Sequence, residues 1–368
     1  MDMYAFRTLR SQPLRLILTI GGIALCIVLM FFLLAVYRGI ADGSVEYIRQ
    51  NHADLWVLQD NATNILRGSS LISMDQINAI ARTPGVRTAA PVLFLLSTIR
   101  KGDKVGTIFL TGFEPEKGLG GPPHLVWGRS PRADDEIVLD RSFALKFGFK
   151  AGEEVDLQGR RLKIVGISRG TNAFVIQYAF VTLRFARELI GVPGLATCLL
   201  VNAEPGFGIG PIREEICDVL AGLKAYDQET FLANNVHEMR SGFLPLLYTV
   251  AVIGAIVLTA ILSLLLSVNI LERRKDFAIL KTLGSPMAFL WGMVIKQAVL
   301  IASVSCAAAL ILFFPLVQVI ERISPEVTTK STVGQIGGVV AAVLVMSLAS
   351  SLVAIRRLRR IYFLEAFS

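Results

Sequence analysis

Few side chains in this sequence are of a type and spacing that could do covalent chemistry, and none of the usual constellations is assembled. The histidines His52, His124 and His237 share no metal-ligand spacing, and none belongs to an H-E-x-x-H pair. No G-x-x-x-x-G-K-[ST] loop is present, so the chain does not hydrolyse ATP by that route. No serine stands in a G-x-S-x-G elbow. The acid pairs Asp134-Asp135 and Glu153-Glu154 fall in turn-rich stretches, where solvated charge is the ordinary explanation. Cys26 and Cys306 lie in apolar runs, while Cys198 and Cys217 either pair in an oxidising compartment or pack as two free thiols. The expectation is a chain without catalysis, without a metal and without a cofactor of its own.

What remains is the chemistry of recognition. Between two apolar runs stands the insert Leu271-Glu272-Arg273-Arg274-Lys275-Asp276-Phe277-Ala278-Ile279-Leu280-Lys281-Thr282-Leu283-Gly284-Ser285-Pro286. The charges at 272–276 end a membrane span, because such a row is costly in hydrocarbon. About two turns of amphipathic helix follow, with Phe277, Ile279, Leu280 and Leu283 over roughly half the circumference and Arg274 and Lys275 opposite. Gly284-Ser285-Pro286 then stops the helix. A helix of this kind lies along a membrane or inserts in the groove of a partner.

The elements that position the insert are membrane spans. With 368 residues, 53% of them hydrophobic, and a mean hydropathy of +0.59, the composition is that of a membrane protein. Apolar runs at 14–36, 243–271, 289–319 and 333–355 each exceed the ~20 residues needed to cross a ~30 Å core. Basic residues fix the orientation: Arg7, Arg10 and Arg15 before the first run, Arg273, Arg274, Lys275 and Lys281 in the insert, and Arg356, Arg357, Arg359 and Arg360 after the last. All three clusters fall on one side, the cytoplasm by the positive-inside rule. The net charge of +8 comes from these flanks, since the segment between the first two spans is nearly neutral. It is therefore a signal for anionic headgroups, not for nucleic acid.

The spans contain no buried Asp/Glu/His relay and no pair of broken helices, which argues against an ion-driven carrier. Lys296 can snorkel to the cytoplasmic interface. Gly21, Gly22 and Ala24 in the first span are candidates for close approach of a second copy. The first span is too long for a cleaved signal core and reads as a retained anchor.

The expected fold class is an α-helical membrane protein with four transmembrane helices, one plus three, and a large α+β extracytoplasmic domain between helices 1 and 2. A cytoplasmic segment (1–13) precedes helix 1 and a stalk (14–52). The outer domain (53–234) has two subdomains meeting near 115–135, where Gly118-Leu119-Gly120-Gly121-Pro122-Pro123 reads as a connector. A second stalk and helix 2 (235–271), the insert (272–288), helix 3 (289–319), an outer loop (320–332), helix 4 (333–355) and a cytoplasmic tail (356–368) complete the chain. Within the domain, strands are expected at 53–58, 86–100, 105–111, 136–139 and 162–167, with helices at 74–82, capped by Ser73, and at 141–147 and 211–221.

The insert resembles the segment E-R-x-x-E-[IF]-[AG]-I-L-[KR]-[AT]-L-G-[AS] of the permeases of the MacB/FtsX/LolC superfamily of ABC transporters, also called type VII. Leu9-Arg10-Ser11-Gln12-Pro13-Leu14-Arg15 running into the first span, and Leu364-Glu365-Ala366-Phe367 at the end, are similar to that family's termini. Asp276 replaces the family's Glu, and Pro286-Met287-Ala288-Phe289 replaces its basic and polar continuation. With no fused nucleotide-binding domain, the chain is most similar to the separate-permease branch of DevC-like and HrtB-like exporters.

The resemblance implies two permeases, a second copy of this chain being one of them, and two copies of a separate ABC ATPase that binds ATP and Mg. It implies that the ATPase grips Glu272, Arg273, Arg274, Lys275, Asp276, Phe277, Leu280, Leu283, Gly284 and Ser285, with Phe277, Leu280 and Leu283 as anchors. Motion would pass through spans and stalks to the outer domain, in a bacterial inner membrane, moving an amphipathic or hydrophobic substrate such as a lipid, glycolipid, lipoprotein, haem or drug. Membrane lipids are partners on any reading, and nucleic acid is not. The resemblance also admits a periplasmic adaptor and an outer-membrane channel. The alternative it carries is an FtsX-like transmitter that switches an extracytoplasmic hydrolase and transports nothing.

Overall fold

The structure, a computed structural model, describes residues 13–65, 70–172, 176–241, 244–272, 279, 283–325, 327, 329 and 331–358. Its first helix, α1 (Pro13–Gln50), has 38 residues, or about 57 Å of helix, well beyond the ~30 Å of a hydrocarbon core. The membrane-length apolar part is Ile17–Gly43, and the remaining turns continue as a helical stalk.

The following elements are β1 (Leu55–Gln59), β2 (Ile72–Ser73), α2 (Met74–Ala81), β3 (Val86–Lys101), β4 (Lys104–Phe113), β5 (His124–Gly128) and β6 (Glu136–Asp140). Next come α3 (Arg141–Phe147), β7 (Glu154–Leu157), β8 (Arg160–Arg169), β9 (Gln177–Thr182) and α4 (Leu183–Ile190). Then β10 (Leu195–Ala196), β11 (Cys198–Ala203), α5 (Ile209–Val219), β12 (Leu223–Asp227) and α6 (Gln228–Ser241) lead to α7 (Leu244–Glu272), α8 (Met287–Ile323) and α9 (Val333–Leu358).

Two compact units result. One is Met1–Arg38, Pro245–Ile320 and Thr329–Ser368; the other is Gly39–Leu244 with Glu321–Thr328. In the second, outer unit, ten strands form one sheet in the order β12-β1-β11-β3-β4-β9-β6-β8-β5, with β7 against β3 and β8. Local signals place its elements. Ser73 caps α2 in a reciprocal capping box with Gln76, which satisfies two otherwise orphaned donors. Asp140 caps α3 by accepting from Ser142 N, and β3 and β4 close their hairpin through Lys101 and Lys104.

Alternation along the strands sorts the core into layers. Trp56 and Leu58 of β1, Cys198 and Leu200 of β11, and Tyr178 and Phe180 of β9 enter one apolar cluster, which also takes Tyr47 and Ile48 of α1 and Phe231 of α6. The intervening residues point the other way. Leu55, Val57, Leu199 and Val201 pack with Ile77 of α2 and Ile212 and Ile216 of α5. Ala179 and Val181 pack with Phe143 of α3 and Phe185 of α4.

The two halves of the sheet share β3, whose earlier residues pair with β11 and whose later residues pair with β4. The division therefore runs through the middle of β3, and the chain returns to the first half at β11. The stretch expected to connect subdomains near 115–135 lies between β4 and β6 of the second half, and Gly120 within it bonds Tyr47 and Asn51. Cys198 and Cys217 are both free thiols. Cys198 is buried in the core, where burial pushes its thiol up and keeps it protonated.

In the other unit, α1 turns Ile23, Ala24, Ile27, Val28, Phe31 and Ala35 inward, at spacings of three and four, against Leu258 and Leu262 of α7, Ile301, Ala302, Cys306, Ala309 and Phe313 of α8, and Val339 and Val343 of α9. Phe31 meets Phe313 with ring centroids 5.6 Å apart. Ser350 Oγ of α9 donates to the Thr259 carbonyl of α7 at 3.0 Å. Among the described residues four helices are long and apolar enough to span a membrane, matching the one-plus-three arrangement.

One local ion pair gives the outer unit an acid-sensitive point. Arg129 grips Glu136 in a two-pronged pair, Nη1 to Oε2 at 2.6 Å and Nη2 to Oε1. The guanidinium hydrogen bond, helped by the amides of Arg132 and Ala133, holds the Glu136 carboxyl down at about 2. A free Glu titrates near ~4.3, so the pair stabilises the fold fully above that pH and loses its contribution as pH falls toward 2. With Arg129 half exposed, solvent screening limits that contribution to about 1 kcal/mol. Tryptophan-fluorescence melts of the full chain should show the wild type losing that much more stability than Glu136→Gln between pH 6 and pH 2.5. Parallel losses in the two proteins would show that the pair does not set the acid limb.

Candidate functional site

The connector between α7 and α8 is the first place to look for a docking surface. Glu272 ends α7 and is exposed. Arg273, Arg274, Lys275, Asp276, Phe277 and Leu280 lie outside the described residues. At the far end Leu283 N donates to the Ile279 carbonyl at 3.0 Å, one α-helical turn. Gly284 then takes φ +84, the left-handed conformation that ends helices and that glycine adopts without a Cβ clash. Ser285 and Pro286 follow, and Phe289 N donates to the Pro286 carbonyl as α8 begins. Ile279 and Leu283, four residues apart and therefore on one face, are both solvent-exposed; Leu283 is 77% exposed.

The candidates for self-association separate. Gly21 and Gly22 lie on the outward face of α1 with open space where a Cβ would stand, flanked by exposed Ile17, Leu18, Leu25 and Leu29. Ala24 is 1% exposed in the bundle core of its own chain. It cannot also meet a second copy, because it lies on the inward stripe with Ile23, Ile27 and Phe31.

The structure adds an anchor that the sequence did not single out. Just past the first span, Tyr47 is fully buried. Its ring stacks on Tyr178 at 4.9 Å and meets Phe94 edge-on at 5.7 Å. Its hydroxyl donates to the Gly120 carbonyl at 2.7 Å. Burial raises the phenol well above its usual range, with Tyr178 and Cys198 adding to the shift, so it stays a donor. Asn51 completes the clamp: its Oδ1 accepts from Gly120 N at 2.9 Å, and its Nδ2 donates to the Tyr47 carbonyl.

The same anchor holds the second stalk. Gln228, the first residue of α6, donates to the Ile48 carbonyl at 2.7 Å and accepts from Trp56 Nε1 at 2.6 Å. Phe231 of α6 stacks on Trp56 at 4.9 Å, and Asn235 Oδ1 accepts from Ile65 N. The end of α1 and the start of α6 thus meet in one aromatic core, where side chains cap the Tyr47 and Ile48 carbonyls of α1. The legible signal was an aromatic and two apolar residues, Val45, Tyr47 and Ile48, on a helix that had already left the span.

Gly120 is the tight point of the clamp. It has φ +80, and a Cβ there would stand 2.4 Å from Val92 Cγ2. Gly120→Ala should destabilise the outer unit by about 2 kcal/mol, combining left-handed strain with overpacking. The same tryptophan-fluorescence melt measures it, and a change below about 0.5 kcal/mol would show that the loop moves aside freely.

The histidines form no common site. His52 follows α1, His124 opens the edge strand β5 and His237 lies on α6, all exposed. Among the described residues no group of three or more His, Cys, Asp or Glu could hold a metal ion. The carboxyl of Asp140 is buried, and burial raises its pKa despite donors from Thr171 and Ser142. Those bonds are spent on capping α3 and fixing the loop after β8.

Comparison with known proteins covers both units. Residues 16–218 match the family described as MacB-like periplasmic core domain, and residues 248–363 match FtsX-like permease C-terminal. An uncharacterized ABC transporter permease of Mycobacterium tuberculosis is 25% identical over 370 residues, covering 99% of this chain and 98% of that protein. One of Mycobacterium bovis is 25% identical over 301 residues, 81% of each. Among solved structures, the periplasmic region of MacB from Actinobacillus actinomycetemcomitans has a TM-score of 0.41 at 13% identity, covering 53% of this chain and 96% of that one. The extracellular domain of the noncanonic ABC-type transporter YknZ from Gram-positive bacteria has a TM-score of 0.38 at 14% identity, covering 47% and 99%.

Proposed function

Because this chain belongs to the MacB/FtsX family of ABC transporter permeases, and is as such a non-catalytic subunit, we propose that it couples a separate ATPase to its outer domain through the connector after α7. Two copies of that ATPase bind ATP and Mg, and each grips one connector of a permease dimer in the bacterial inner membrane. Phe277, Leu280 and Leu283 are the apolar anchors, and Glu272, Arg273, Arg274, Lys275 and Asp276 fix the register by charge. The observation that carries this reading is the exposed Ile279–Leu283 turn, closed by Gly284, directly before α8. Two exposed apolar side chains on one helix face, next to a charged stretch of sequence, suit a partner's groove.

The outer half of the mechanism rests on the stalks. ATP binding closes the two ATPases, and each pulls on α7 and α8. The α1 and α6 ends are locked to the sheet by Tyr47, Asn51, Gln228 and Phe231. A helix that arrives in a packed aromatic core moves that core as a rigid body, since close-packed interiors transmit displacement. The substrate is an amphipathic or hydrophobic molecule exported or extracted from the membrane. Gly21 and Gly22, on the outward face of α1, are the positions where a second copy can approach closely.

Co-purification tests this reading. The tagged full chain, extracted from its native membranes, should bring down an ATPase whose peptides contain a phosphate-binding loop, in equimolar amount and with ATP hydrolysis. A chain that is pure, inserted and active in no complex would defeat it. If the complex also retains a cell-wall hydrolase and moves no amphiphile between membranes, the FtsX-like role replaces the transport role.

A further inference from the structure

A cavity of about 480 Å³ opens in the outer unit between α1 and α6, within the ~300–1,000 Å³ range of small-molecule sites. Val45 and Arg49 line it from α1, and Leu232, Asn234, Val236 and His237 line it from α6. The spacing puts Val45 with Arg49 on one helix face and Leu232 with Val236 on the other. Val45 is buried and Leu232 packs against the aromatic core, while Arg49 and His237 are exposed. The cavity therefore has an apolar side and a polar, donor-bearing side, with no carboxylate in its lining. Arg49 has Glu46 as its ion-pair partner at 3.7 Å, beyond hydrogen-bond length, and Glu46 already accepts from Gln50 at 2.6 Å.

Its position matters as much as its lining. Val45 and Arg49 stand two and six residues past Gly43, the outer end of the first span, or about 3 and 9 Å along the helix axis. A bilayer's headgroup layer is roughly 5–8 Å thick on each side. The cavity thus starts within the headgroup layer, at Val45, and reaches its outer edge at Arg49. We propose that it receives the acidic headgroup of a membrane amphiphile. Phosphate or carboxylate oxygens would sit on Arg49 and His237, and the first carbons of the lipid on Val45, Leu232 and Val236. The proposal rests on the permease reading above and names the cargo class that reading leaves open. A free phosphate would gain nothing from the three apolar side chains, so a lipid is the favoured source.

The test uses the full chain in nanodiscs of phosphatidylcholine containing a small fraction of photoactivatable phosphatidylglycerol. Labelled peptides should map to 45–50 and 228–241. Arg49→Gln and His237→Gln should each reduce labelling about tenfold, as expected when a charge-assisted hydrogen bond is lost. Val236→Trp, which fills the cavity without touching charge, should do the same, and Arg160→Gln on the exposed face of β8 should not. Labelling that is equal with photoactivatable phosphatidylcholine, or unchanged in all three cavity variants, would overturn the proposal. So would complete competition by millimolar inorganic phosphate, which would make this a soluble-anion site. ATPase association is measured on the same samples. Normal lipid labelling in a chain that holds no ATPase would leave the cavity standing and remove the coupling reading.

Discussion

Phe277→Asp combined with Leu280→Asp should release the ATPase from the permease, with at least about a thousandfold loss of affinity. The reasoning is electrostatic. On the proposed docking, each Asp would bring a carboxylate into a groove that takes an apolar anchor, and an unpaired buried charge costs several kcal/mol. Two such penalties exceed the roughly 4 kcal/mol that corresponds to a thousandfold change. The measurement is ATPase recovered per mole of purified permease, alongside ATP hydrolysis. Insertion and tryptophan fluorescence of the outer unit serve as folding controls, since both substitutions lie outside the spans. ATPase recovery equal to wild type would remove the connector from the interface.

The second large effect is expected within the outer unit. Tyr47→Ala removes a fully buried ring that stacks on Tyr178 and meets Phe94 and Trp56, and it deletes the donor to Gly120. Truncating a core aromatic costs about 3–5 kcal/mol, a large share of a domain's stability. Tyr47→Phe keeps the packing and leaves the Gly120 carbonyl without this donor, which costs about 1–3 kcal/mol. Thermal melts of the full chain should rank wild type above Phe, and Phe well above Ala. Both variants should still bind the ATPase, because Tyr47 belongs to the outer unit. An Ala variant as stable as wild type would mean that the stalk is not anchored through this ring.

The sequence made some of these features plain and hid others, for physical reasons. Long apolar runs have one solution in lipid, so the four spans were readable, although the first continues to Gly43, seven residues beyond the expected end at 36. Ser73 announced α2, because capping chemistry is local. The β3 and β4 strands were readable from their two successive apolar-rich runs. In contrast, β9 and β11 are central strands buried on both faces. Their apolar runs, Tyr178 to Val181 and Cys198 to Val201, lack the alternation that marks a half-exposed strand. The division of the sheet was also out of reach. It depends on β3 changing partners midway, from β11 to β4, and pairing across more than a hundred residues leaves no local mark.

The site divides the same way. Ile279, Leu283 and Gly284 were legible because helix periodicity and a stop signal are short-range. Ala24 looked like a contact for a second copy because composition shows that a residue is small but not which way it faces. Tyr47, Gln228 and Gly120 become an anchor only when two stalk helices and a loop distant in sequence meet. The glycine-rich stretch around Gly120 resembled a linker for that reason, although its backbone is held by Tyr47 and Asn51.

The most direct test of the coupling role is a photocross-link from Leu283. With p-benzoylphenylalanine at that position in the full chain, irradiation of native membranes should yield an adduct with the ATPase chain. The same probe at Val333, at the start of α9, should yield none. The adduct should disappear when Phe277→Asp and Leu280→Asp are added. If position 283 gives no adduct while the ATPase still co-purifies, or if position 333 labels it equally, the connector is not where the ATPase takes hold.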